Sequence, residues 1–113
     1  MELALSHEDG YVMANTSGPI DESAVELFRE YLHPLVGQAG TKVVLDLSDS
    51  ERINSLGIGA LVSLVADANT NSSHVVLAAC RSFVTIVVDR SGLDRFFDMA
   101  DTVPEAVNRL LDS

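Results

Sequence analysis

The chain has 113 residues, 47 % of them apolar, no tryptophan and a formal net charge of −10. That length suits one domain over residues 1–113, with one core built from Val, Leu, Ile and Ala. The acidic balance excludes nucleic acid and anionic membrane as partners, because both call for a basic patch. Lys42 is the single lysine and no glycine-rich run precedes it, so no phosphate-binding loop can be built. Cys80 is the single cysteine, which rules out an intramolecular disulfide and fits a reducing compartment. The N-terminus lacks a basic stretch followed by an apolar core, and no apolar run approaches the roughly 20 residues that cross a bilayer. The expectation is a soluble cytoplasmic protein without direct membrane insertion.

In chain order, Leu3–His7 and Tyr11–Thr16 are β-prone runs separated by Glu8-Asp9-Gly10, and Asp-Gly between such runs signals a hairpin. Ser17-Gly18-Pro19 breaks the pattern. Ala24, Leu27, Phe28, Tyr31, Leu32 and Leu35 then follow the spacing of one buried helix face, predicting a helix over 23–33. Ser23 with Glu26 reads as its capping box, and Pro34 as its end or a kink. Lys42–Leu47 is a near-continuous apolar run, as in a central strand covered on both faces. A helix is predicted over Ser55–Asn69, a polar turn over 69–73 and a second central strand over Val75–Ala79. Phe83–Arg90 reads as a short helix closed by Ser91-Gly92, and Phe96–Ala100 as a short edge strand. Thr102 with Glu105 is a further capping box, opening a last helix whose apolar side is Val103, Val107, Leu110 and Leu111. The order ββαβαβα(β)α predicts an α/β domain with about four helices. Its mixed β-sheet carries an N-terminal antiparallel hairpin.

The chemistry concentrates where the strand ending Val44-Leu45-Asp46-Leu47-Ser48 meets the helix opening Asn54-Ser55-Leu56-Gly57-Ile58-Gly59. Ser55 there can be a helix cap, a nucleophile or a phosphoacceptor. Asn54 can cap in its place and leave the Ser55 hydroxyl free. Gly57 and Gly59 cost a helix roughly 1 kcal/mol each against Ala, so close packing on the sheet or an approaching partner must account for them. Nucleophilic chemistry needs a base in reach, yet His7, His33 and His74 are scattered and Gly-x-Ser-x-Gly is absent. Asp46 at a strand end invites comparison with aspartyl-phosphate receivers. The early acidic pair and the late lysine of such receivers are missing, so Asp46 is expected to accept backbone hydrogen bonds in its loop. No histidine or cysteine spacing suits a metal, and no cofactor is expected. Arg90 and Arg95, flanking Ser91-Gly92-Leu93-Asp94, read as favourable positive charge at a helix C-terminus. On the Ser55 helix, Ile58, Leu61, Val62 and Val65 form a core stripe. Leu56, Ala60 and Leu64 form a second, which is either covered by a neighbouring helix or exposed for a partner.

With its element order, the Gly18-Pro19-Ile20-Asp21 turn, the segments at Asp46 and Ser55, and Ser91-Gly92-Leu93-Asp94-Arg95-Phe96-Phe97, the whole chain resembles the STAS domain of bacterial anti-sigma factor antagonists. The family motif is Asp-Ser-Ser/Thr-Gly-Leu-Gly, and its phosphorylated serine falls on Ser55. Asn54 stands in place of the aspartate, keeping a cap and losing a charge. Leu56 replaces the second hydroxyl with an apolar group at the expected contact surface. The resemblance implies a non-enzymatic partner switch. Unphosphorylated antagonist binds an anti-sigma factor, a serine kinase of the histidine-kinase-like ATP fold. Phosphorylation of Ser55 releases it, and a serine phosphatase resets the cycle. The partner-binding residues it implies are Asp21, Ser48, Asn54, Leu56, Gly57 and Gly59. The alternative on the same fold is an accessory subunit of a membrane lipid transporter or of a larger signalling complex, without phosphorylation.

Overall fold

A computed structural model describes residues 1–112. The elements in chain order are β1 (Glu2–His7), β2 (Val12–Ser17), α1 (Glu22–Tyr31), α2 (His33–Val36), β3 (Lys42–Asp49), α3 (Ser55–Thr70), β4 (His74–Ala78), α4 (Ser82–Arg90), β5 (Asp98–Ala100) and α5 (Val103–Leu111). The strands form one five-stranded sheet in sequential order, β1 antiparallel to β2 and every other neighbour pair parallel. This is the mixed α/β sheet with an opening hairpin that the sequence pattern predicts. Gly10 closes the hairpin at a φ of +89°, a conformation that side-chain-bearing residues rarely adopt.

Alternation along the strands sends side chains to two layers. Val43, Leu45, Leu47, Val75 and Leu77 join Phe28, Leu32, Leu61, Leu64, Val84 and Val88 under α1, α2, α3 and α4. Val44, Val76 and Ala78 face the other way and pack with Ala106 and Leu110 of α5. Burial on both faces is why β3 and β4 read as continuous apolar runs.

Several local expectations shift. The cap of α1 is Asp21, whose carboxylate accepts from the Ser23 amide, so Ser23 is not the capping residue and the helix starts one residue earlier. Pro34 does not simply end a helix. It occupies the first turn of the short α2, where a missing N–H costs nothing, giving five helices among the described residues. The Thr102 box forms with a displaced return bond: Thr102 Oγ1 accepts from the Glu105 amide at 3.2 Å, while the Glu105 carboxylate reaches the Asp101 amide at 3.3 Å. Leu111 stands exposed rather than on the buried side of α5.

Candidate functional site

Parallel β2, β3 and β4 all point their C-terminal ends toward one edge of the sheet, and the connections leaving them meet there. The Gly18–Asp21 turn follows β2, the loop to Ser55 follows β3, and Arg81 with α4 follows β4. Such an edge is the usual location of sites in sheets of this kind. Backbone bonds lock two of the connections together. The Ile20 amide donates to the Arg52 carbonyl at 2.8 Å, and the Asn54 amide donates to the Ile20 carbonyl at 3.1 Å. The third is tied by the Arg81 guanidinium, 3.2 Å from the Ser48 carbonyl and 3.4 Å from the Glu51 carboxylate.

Asn54 is the cap of α3. Its side-chain oxygen accepts from the Gly57 amide at 2.9 Å, and its carbonyl accepts the Ile58 amide at 2.9 Å. Ser55 is therefore released from capping. It is exposed, and its hydroxyl makes no hydrogen bond among the described residues. The two glycines have different causes. A Cβ on Gly57 would stand 1.9 Å from the Ile20 carbonyl oxygen, so Gly57 is buried and permits the turn after β2 to lie on the helix. A Cβ on Gly59 would meet nothing within 4 Å. Gly59 instead opens a groove of about 340 Å³ between α1 and α3, lined also by Phe28, Arg29, His33 and Ser63.

Of the second apolar stripe, only Leu56 reaches solvent, 57 % exposed; Ala60 and Leu64 are buried where α1 and α2 pack on α3. The stripe as a whole is thus not an exposed patch, because two helices on the same sheet face cover its inner part. Asp46 accepts the Ser48 amide at 3.0 Å, as its loop position suggests. Asp21 sits across the turn from Asn54, and the Ser23 hydroxyl, followed by the Ser23 amide, holds its carboxyl below the usual carboxylate range. Glu22 accepts from the Asn54 side-chain amide at 3.4 Å, so a carboxylate also stands at the mouth of α3.

The Ser50 hydroxyl is engaged, and the three histidines lie away from Ser55. Ser50 is fully buried and shares a 2.9 Å hydrogen bond with Thr16, which also donates to the Asp46 carbonyl. His74 opens β4 and lies 2.6 Å from Asp98, at the end of the sheet opposite Ser55. His33 lies 2.7 Å from Asp67, twelve residues or ~18 Å along α3 from Ser55. His7 pairs with Val12 at that same far end. Sequence reasoning passed over two exposed residues of α4: Phe83, 47 % exposed, which adjoins the site, and Ile86, 50 % exposed, one turn further along the helix. Phe83 shares a shallow hollow with Pro19, Asp21, Arg52 and Asn54.

The chain belongs to the STAS domain family, whose model matches residues 2–106. A Thermotoga maritima protein assigned as a candidate anti-sigma factor antagonist is 23 % identical over 103 residues, spanning 90 % of this chain and 91 % of the relative. The crystal structure of such a Thermotoga maritima protein superposes with a TM-score of 0.86 at 22 % identity, covering 96 % of this chain and 94 % of that one. The anti-sigma factor antagonist SpoIIAA in its unphosphorylated form gives 0.80 at 20 % identity, over 99 % and 98 % of the two chains. The Bacillus cell fate determinant SpoIIAA in its phosphorylated form gives 0.73 at 20 %, over 96 % and 99 %.

Proposed function

We propose that this protein is an anti-sigma factor antagonist that works by partner switching, with Ser55 as the phosphoacceptor. The observation that carries the reading is the free, exposed Ser55 hydroxyl at the mouth of α3, its capping role taken over by Asn54. A relative is assigned to that role, and a structural neighbour exists in phosphorylated and unphosphorylated forms.

In this reading Asp21, Ser48, Asn54 and Leu56, with Ser55, meet a serine kinase of the histidine-kinase-like ATP fold. Gly59 leaves the adjoining α3 backbone bare, and Gly57 acts indirectly by seating the turn that carries Asp21. Phosphorylation adds about −1.5 to −2 charges. In a packed contact that charge costs desolvation and meets the carboxylates of the same mouth, Glu22 among them. In the released protein the helix start accommodates the phosphate, because the Ser55 and Leu56 amides have no acceptor among the described residues. A serine phosphatase restores the binding form. The protein is then a regulator rather than a catalyst, since none of its histidines stands where it could activate Ser55.

The test is to incubate the chain with ATP and the source cell's small serine kinases of this fold, and to map the label. Wild type should be labelled on Ser55 and Ser55→Ala should not. Label on Ser48 or Ser50 would overturn the assignment, and burial of Ser50 argues in advance against that residue.

A further inference from the structure

The charges of this acidic chain are unevenly used. Arg29 pairs with Glu26, Arg109 with Asp98 and Glu105, and Arg81 with Glu51. The guanidinium groups of Arg52, Arg90 and Arg95 make no ion pair or hydrogen bond among the described residues, despite 17 acidic residues in the sequence. All three lie on α4 or on segments beside it. Arg90 follows Phe83 and Ile86 at i+7 and i+4, on the same outer face of α4. Arg52 shares the hollow that Phe83 forms with Asn54, and Arg95 lies in the loop after the helix. Asp89 is the carboxylate exposed on α4 itself.

Two large apolar side chains standing in solvent beside unpaired arginines mark a contact surface, since apolar anchors with arginine are the usual core of an interface. We infer that the Phe83–Ile86–Arg90 face of α4, with Arg52, is a second half of the docking surface that begins at Leu56. It receives an apolar pocket rimmed by carboxylates on the same kinase-type partner. The inference rests on the function proposed above and adds the partner's chemistry. Continuity through the Phe83–Asn54 hollow favours one partner over two. The charge pattern selects an acidic rim, because opposite potentials steer the encounter and fix its register.

The experiment measures the affinity of the source cell's purified kinases of this fold for wild type, Leu56→Arg, Ile86→Glu and Arg90→Glu, with melting temperatures alongside. Both side chains are exposed and Arg90 has no partner to lose among the described residues, so both α4 variants should fold normally. The expected result is a loss of at least about tenfold in affinity for each of them, as for interface anchors generally. Wild-type binding should also weaken as ionic strength rises, and Arg90→Glu should reduce that dependence. Loss of binding in Leu56→Arg alone, with both α4 variants at wild-type affinity, would overturn this inference and leave the Ser55 reading intact. No binding of wild type to any such kinase would overturn both. Phe83-dependent sedimentation with phosphatidylserine vesicles, or a Phe83-dependent dimer of this chain, would assign the face to another occupant and likewise overturn it.

Discussion

Gly57 rests directly on the backbone of Ile20: a Cβ at position 57 would lie 1.9 Å from the Ile20 carbonyl oxygen and 2.5 Å from its carbonyl carbon. That carbonyl in turn accepts the Asn54 amide, so the contact joins the turn after β2 to the start of α3. Gly57→Ala must push these segments apart and should cost about 1–3 kcal/mol, as overpacking does. Gly59 has no such neighbour, so Gly59→Ala should stabilise the fold by up to about 1 kcal/mol through helix propensity alone. Urea titration of both variants checks the pair; equal effects would contradict the distinction. If Gly59 serves a partner, the stabilised variant should bind it less well.

That pair also shows how far the sequence could be read. Two glycines in one helical turn announced a close approach, but sequence could not say that one is packed from inside and the other is open to solvent. The strand and helix order was legible because hydrophobic period and turn chemistry agree, as at Asp9-Gly10 and at the apolar run of β3. The short α2 was not, because Pro34 both ends one helix and suits the first turn of the next. Ala60 and Leu64 were ambiguous because their cover, α1 and α2, is a tertiary neighbour. Phe83 and Ile86 were missed because α4 is apolar on several sides, and only its packed orientation reveals which of them face solvent.

Leu56 is the exposed remainder of its stripe, and it touches solvent beside Ser55. Leu56→Arg should leave the melting temperature nearly unchanged and abolish binding to the kinase-type partner. Differential scanning calorimetry paired with a binding titration separates the two effects. An unfolded variant would return Leu56 to the core.

Cys80 is half-buried, and burial pushes its thiol up to about 11 from an ordinary 9.0. Because the thiolate is the reactive form, its population near neutral pH falls by about a hundredfold against an ordinary thiol. Alkylation by iodoacetamide should accordingly be slow in the folded protein and should rise sharply in urea. A thiol that reacts as fast folded as unfolded would contradict its placement.

The central claim is that charge at Ser55 controls association, and calorimetric titration of the partner kinase with wild type, Ser55→Asp and Ser55→Glu tests it most directly. Each carboxylate introduces charge into a contact that must be desolvated, without disturbing the Asn54 cap or the core beneath α3. The account predicts a loss of at least ~1–2 kcal/mol, roughly tenfold in Kd, at unchanged melting temperature. Wild-type affinity in both variants would contradict it.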